Sequence, residues 1–436
     1  MLERNQFVLL GQRRFGPYFL TQFLGAFNDN VFKNALLLLL AFHAADRFSA
    51  GSDTLINLSA GLFVLPFFLF SAIAGQLADK YDKALLIRRI KLLEIFIMLA
   101  AACALLFDQI VALIALLFLM GVQSSFFGPV KYGVLLQLVD EQELIGATGL
   151  VGMGTFLAIL LGTACGGLLI GVDDYGRPLV ALAVMLIAIA GFVSSRSIPR
   201  LKALAPAAAI NWNPLTATWH MLAYAWGKRI VFVGITAISW FWFLGSVYLA
   251  QLPNFTRLFL DGDETVVTLL LALFSIGVGA GSLMCERLTG HRVDVVLVPV
   301  GALGMTVFGA DLALTPAVPG GDALLSAVHW LQQPAAWRTA ADVLLLGASG
   351  GLYIVPLYAL VQQRTEEGHR ARVIAANNIL NALFMVSAAV LAIIILRSGL
   401  SIPWLFGLVA GLNALIAVLI ICIEPEFRQS VMRRFI

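Results

Sequence analysis

Apolar runs of about 20 residues, the length that crosses a bilayer as a helix, recur along almost the whole chain and are broken by short polar or Gly/Pro-containing stretches. Hydropathy and breakers place twelve spans. Six fall at 16–43, 55–77, 92–107, 110–130, 144–170 and 179–195, and six at 230–252, 265–285, 295–314, 342–363, 373–396 and 402–423. The pattern predicts an all-α integral membrane protein. One span departs from its own pattern: residues 15–45 carry Asn28-Asp29-Asn30 and Lys33 in the middle of a run of Phe and Leu. A charge at bilayer depth costs about 2.5–3.5 kcal/mol on insertion scales, so such groups face a partner or a wet cavity. Asp29 and Lys33 are one turn apart on one face, and stepping back along that face collects Gln22, Gly25 and Ala26. The stripe predicts a helix that lines a pathway. The plainer alternative is an intrahelical ion pair that makes both charges tolerable.

Composition agrees: 60% of the 436 residues are hydrophobic and 12% charged, with a mean hydropathy of +0.93, far from the balance of a soluble domain. The net charge of +3 says little, but its distribution says more. With the N-terminus inside, Arg47, Arg177, Arg257, Arg338 and Arg397 occupy outer loops, Lys33 lies in a span, and every other Lys and Arg falls on the inner side. Such an imbalance puts both termini in the cytoplasm. The basic start leads into an apolar run too long for a signal peptide, and no cleavage site is evident. Cys103, Cys165, Cys285 and Cys422 lie in apolar segments without metal-type spacing and are expected to be small core residues. No cofactor, metal or nucleic-acid partner is expected.

Residues 196–229 form the longest inner connection, with Pro199, Pro206, Pro214 and an alanine-rich run. They divide the chain into a first half, 1–195, and a second, 230–436, of six spans each. Gly121, Tyr132 and Gln137 recur at a constant offset as Gly347, Tyr358 and Gln363. Two six-span halves joined by a long cytoplasmic loop resemble the parallel repeat of the major facilitator superfamily. The loop after the second span, Gly75-Gln-Leu-Ala-Asp79-Lys80-Tyr-Asp-Lys83, resembles that superfamily's signature between spans two and three. Its role there is gating: the Asp caps a helix N-terminus and meets basic groups of neighbouring helices. Asp82 stands where the signature has Gly, which puts the tight turn in question. The second-half counterpart, Gly281-Ser-Leu-Met-Cys-Glu286-Arg287, is degenerate.

Three further motifs narrow the resemblance. Gln22-Phe-Leu-Gly-Ala-Phe-Asn-Asp29-Asn30, Gly128-Pro-Val-Lys131-Tyr132-Gly133-Val-Leu and Gly350-Gly-Leu-Tyr-Ile-Val-Pro356-Leu-Tyr-Ala-Leu-Val-Gln362 are similar, in order, to motifs of bacterial lysophospholipid transporters. The continuation Asn30-Val-Phe-Lys33-Asn34 looks closer still to transporter halves fused to a 2-acylglycerophosphoethanolamine acyltransferase. The resemblance implies inward movement of lysophosphatidylethanolamine and related lysolipids across the inner membrane by alternating access. An acyltransferase acting on the delivered lysolipid is then the implied partner. It also implies functional roles for Asp29 and Lys131. The arginine some members carry in span seven has no equivalent within 230–252.

The substrate suits the residues. Asp29 can pair with an ammonium, while Lys33 or Lys131 meets a phosphate. Tyr132 adjoins Lys131, and Asn377, Asn378 and Asn381 offer neutral amides, with 377 and 381 on one face. Lys131 could instead snorkel at a span end, and the asparagines could serve interhelical hydrogen bonds. Glu94 and Asp311, near span ends, are given no function. A proton-coupled carrier of a soluble amphiphile or drug is the competing reading, and a passive scramblase is a third. An acyltransferase is not expected within this chain, because none of His43, His220, His291, His329 and His369 is followed by Asp at the required spacing.

Overall fold

A computed structural model describes residues 5–43, 52–316 and 323–435; Ala45, Arg47 and part of the outer segment 315–341 therefore lie outside the described residues. The long helices are α1 (Gly16–His43), α2 (Ser52–Lys80), α3 (Lys83–Leu106), α4 (Ile110–Gly133), α5 (Leu144–Ile170) and α6 (Gly176–Arg196). A shorter α7 (Pro214–Gly227) precedes α8 (Arg229–Phe259), α9 (Glu264–Thr289), α10 (Leu297–Ala313), α11 (Pro334–Arg364), α12 (Arg370–Arg397) and α13 (Ile402–Ile423), and α14 (Pro425–Phe435) ends the chain. Among the described residues nine helices are long and apolar enough to cross a membrane, and α1, α3 and α10 complete twelve at the expected places.

One expectation needs correction. The third span does not begin at residue 92. Its helix starts at Lys83, so Lys91 and Glu94 are interior residues rather than loop or span-end ones. The charges Arg88, Arg89 and Lys91 read as a loop, with Glu94 at the span's edge, because hydropathy cannot see that Lys91 and Glu94 neutralise each other. The connection 196–229 contains α7.

Packing divides the chain into two compact units: Met1–Glu141, Ala158–Gly227 and Thr365–Ile379 form one, and Gln142–Leu157, Lys228–Arg364 and Leu380–Ile436 the other. The first has its core where α1, α3, α4 and α6 meet, around Val31, Phe32, Leu36, Met98, Leu117, Met120 and Val184. The α7 face carrying Ala217, Met221 and Ala225 is buried, and the first two join Ala72 on α2 and Ala375, Ala376 and Ile379 from the start of α12 in a second cluster.

The second unit is built on small residues. In α9 and α11, Gly277 and Gly281 face Gly347 and Gly351, and a Cβ at any of the four would strike backbone of the opposite helix. This is the close approach that small residues four apart permit when no hydrophobic effect drives helices together. Asn413 of α13 accepts from Trp240 Nε1 at 2.9 Å and donates to the Ala302 carbonyl at 2.8 Å and to Thr306 at 2.9 Å. It thereby pins α8 and α10 to α13.

Candidate functional site

The first unit holds a cluster of charged groups from α1, α3 and α4. Asp29 is half-buried on α1. Its Oδ2 accepts from the Ser124 hydroxyl at 2.6 Å, and its Oδ1 is buried without a hydrogen-bond partner. Behind it, Glu94 is buried to 1% exposure. Glu94 accepts from Asn28 Nδ2 at 3.1 Å, from Gln123 Nε2 at 3.1 Å and from Lys91 Nζ at 2.6 Å. Three donors, one of them charged, satisfy a carboxylate that would otherwise be very costly away from water. Ser124 Oγ, which donates to Asp29, also lies 3.2 Å from Gln123 Oε1, so adjacent residues of α4 hold the two carboxylates, Ser124 donating to Asp29 and Gln123 to Glu94.

The glycine in the α1 motif has its explanation here. A Cβ at Gly25 would stand 2.7 Å from Lys91 Nζ, and one at Gly191 of α6 would stand 3.2 Å from it. Lys91, exposed by only 1%, occupies the slot these two glycines leave, with its ammonium 6.0 Å from the centre of the Phe127 ring. One turn before Asp29, a backbone position without a side chain thus makes room for a buried cation from a third helix.

The sequence-derived residues distribute as follows. Asp29 interacts electrostatically with Lys33, Lys91 and Glu94, and Lys131 with Asp29. Lys33 lies over the Phe63 ring at 5.6 Å, and Lys131 lies over that of its neighbour Tyr132 at 5.6 Å. The Lys131 carbonyl accepts from the Tyr18 hydroxyl, tying the end of α4 to the start of α1. Gln22 is buried on the same helix. Asn30 is not brought to Asp29. Its Nδ2 bonds its own helix at the Ala26 carbonyl (2.7 Å), and its Cβ packs where Gly162 of α5 leaves space. Asn377 and Asn378 belong to the first unit and Asn381 to the second. The Asn378 amide abuts Gly128, just before Lys131, and its Nδ2 is buried without a hydrogen-bond partner. Asn381 instead accepts from Ser239 at 2.9 Å, an ordinary interhelical bond. Sequence reading missed Lys91, Glu94, Gln123 and Ser124. The available signal was a carboxylate and an ammonium at i,i+3 beside an apolar run.

The end of α2 and the turn after it carry a second polar cluster. Asp79 has no exposed surface. Its carboxylate accepts from the backbone N–H groups of Ala371 (3.1 Å) and Arg372 (3.2 Å) and from Arg372 Nε (3.3 Å), with Lys83 Nζ 4.0 Å away. It therefore caps the N-terminus of α12. Gly75 lets α12 come close, since a Cβ there would meet Ala375 at 2.6 Å and the Ala371 carbonyl at 3.0 Å. Lys80 closes α2 in its last turn, where a cation suits the helix dipole. Asp82 does not need to be glycine: its φ is −56°, and its carboxylate caps α3 at Ala84 (2.8 Å) and Leu85 (3.3 Å) while also accepting from Leu201 N–H (3.3 Å).

Twelve long helices with charged groups buried among them define a multi-pass membrane transporter. Residues 18–341 match the family model of the Major Facilitator Superfamily, and the chain belongs to that family. It is 28% identical over 410 residues to the lysophospholipid transporter LplT of Enterobacter sp. (strain 638), covering 92% of each chain. It is 29% identical over 354 residues to the LplT of Escherichia fergusonii, covering 79% of this chain and 78% of that one. Among solved structures it resembles the human organic anion transporter MFSD10 (TM-score 0.74, 13% identity, 94% and 99% covered). It also resembles the proton:xylose symporter XylE (TM-score 0.70, 13% identity, 95% of each chain). At that identity these two show the shared fold alone.

Proposed function

We propose that this protein is a lysophospholipid flippase that moves lysophosphatidylethanolamine and related lysolipids inward across a bacterial inner membrane by alternating access. The reading is carried by two of the unmatched buried polar atoms of the first unit, Asp29 Oδ1 and Asn378 Nδ2, with the cations Lys33 and Lys131 interacting electrostatically with Asp29. A lysophospholipid headgroup supplies the complement of both. Its ammonium takes the carboxylate oxygen, and its phosphate takes the amide and one lysine. The names of the relatives above support the same substrate class. The distribution of Lys and Arg supports cytoplasmic termini, and the repeat supports halves at 1–195 and 230–436 joined by 196–229.

Alternating access needs a gate that holds and releases. Asp79, capping α12 together with Lys83 and the glycine at 75, is the proposed latch, and its release frees the start of α12 from the first unit. Delivered lysolipid would meet an acyltransferase on the cytoplasmic side.

The test is uptake of labelled lysophosphatidylethanolamine into vesicles holding the purified protein, with Asp29→Asn and Lys131→Ala alongside. Transport that collapses in both variants supports function and site together. Transport untouched by either removes the site, and none by the folded parent moves the assignment to a proton-coupled carrier of a soluble amphiphile.

A further inference from the structure

Two carboxylates, Asp29 and Glu94, share one polar cluster with Lys91, yet only Glu94 holds it. Lys91 Nζ is 2.6 Å from Glu94 and packs at Gly25, one helical turn before Asp29, close enough to interact with Asp29 electrostatically. The cation therefore lies within a side-chain swing of the carboxylate whose Oδ1 is unmatched. Glu94 is exposed by 1% and also takes the Asn28 and Gln123 amides, so its demand for donors is met wholly from inside the protein. Asp29 accepts one hydrogen bond, from the Ser124 hydroxyl, with Lys33 and Lys131 interacting electrostatically, and its Oδ1 is buried without a hydrogen-bond partner.

We infer that Glu94 is a specificity-determining positioning residue: by sequestering Lys91 it keeps Asp29 free for the cationic group of an incoming headgroup. The inference rests on the lysolipid reading above and deepens it. Remove the negative charge at 94 and Lys91 becomes a buried ammonium without an anion. The nearest relief is Asp29, which then carries an internal cation in the place of the ligand's. The loss falls on zwitterionic lysolipids, whose ammonium needs Asp29. Lysolipids with a phosphate and no cation do not need that contact. Gln123 and Ser124 belong to the same device, since these neighbours on α4 donate one to Glu94 and the other to Asp29.

The experiment compares Glu94→Gln, Glu94→Asp and the double variant Glu94→Gln/Lys91→Met with the parent, using lysophosphatidylethanolamine and lysophosphatidylglycerol as the two substrates. Glu94→Gln should raise KM for the zwitterion about tenfold, the factor that follows from losing one contact of about 1.4 kcal/mol, with less than about a threefold change for the anion. Glu94→Asp keeps the charge and should keep the parental ratio, and the double variant should restore it because the competing cation is gone. Equal losses on both substrates, or no restoration in the double variant, would overturn the inference in favour of a merely structural ion pair.

Labelling of Asp29 by an apolar carbodiimide, read by peptide mass spectrometry in detergent, decides the point without transport. It should fall several-fold in Glu94→Gln and recover in the double variant, and unchanged labelling overturns the inference. If Glu94→Gln does not accumulate, labelling of Lys91→Gln decides instead. It should equal the parent's, whereas a large rise would mean that Lys91 already shields Asp29. Vesicles in which the parent moves neither lysolipid would refute the lysolipid reading, while the labelling still judges the roles of Glu94 and Lys91.

Discussion

Replacing Asp79 by alanine removes the acceptor for two backbone N–H groups and one guanidinium at the start of α12. The loss of a capping side chain costs about 1 kcal/mol, and hydrogen bonds to a charged group contribute about 1.5–3 kcal/mol. About 3 kcal/mol is a lower bound, because Lys83, with no exposed surface and Asp79 at 4.0 Å, also loses its counter-ion. Spent on docking of 365–379 into the first unit, 3 kcal/mol shifts the docked population by roughly 100-fold. Asp79→Asn keeps an oxygen for a backbone donor and loses the charge, so about half the energy and roughly tenfold are expected. Docking can be read with a thiol at Val373, which is exposed by 1%, after Cys103, Cys165, Cys285 and Cys422 are changed to serine. Maleimide labelling of Val373→Cys in detergent should quicken in the order parent, Asp79→Asn, Asp79→Ala. A rate in Asp79→Ala equal to the parent's would refute the reasoning, because the buried carboxylate would then not be what holds α12.

Gly25→Val should lower thermal stability by about 1–3 kcal/mol, the usual range for overpacking. A Cβ there meets the Lys91 ammonium at 2.7 Å, and that group is itself fixed to Glu94, so a melting temperature in detergent equal to the parent's would contradict the packing. Asp82→Ala should cost about 1 kcal/mol through loss of the α3 cap and loosen Leu201, seen as faster proteolysis of the segment after α6; an unchanged digestion pattern would count against the cap. Asn413→Leu should cost about 1–2 kcal/mol, since interhelical side-chain hydrogen bonds in membranes contribute about 0.6 kcal/mol each and three are lost. Its signature is altered Trp240 emission with the substrate preference of transport retained. Asn381→Ala should leave lysolipid KM within about twofold of the parent, because its amide oxygen is engaged by Ser239, whereas Asn378→Ala should raise it several-fold if its unmatched amide meets phosphate.

The amino-acid sequence by itself determined the membrane class, the places of most of the long helices and the motifs that carry Asp29, Lys131 and Asp79. These follow from local quantities: run length against bilayer thickness, and short spacings along the chain. The Asp79 cap was legible because the motif that carries it follows a span directly and has basic residues beside it. Tertiary structure decided which charges belong together. Lys91 and Glu94 were set aside as flanking charge because hydropathy sums residues one at a time, and a buried pair joined at 2.6 Å is far less costly than its members separately. The same blindness took Asn30 from the motif beside Asp29 and grouped Asn377, Asn378 and Asn381 by spacing. Their partners, a helix's own carbonyl for Asn30, a glycine gap in α4 for Asn378 and a serine on α8 for Asn381, come from long-range packing that no local period encodes. The glycines at 25 and 191 show the physical reason most directly: what an absent side chain makes room for is set by another helix, far away in sequence.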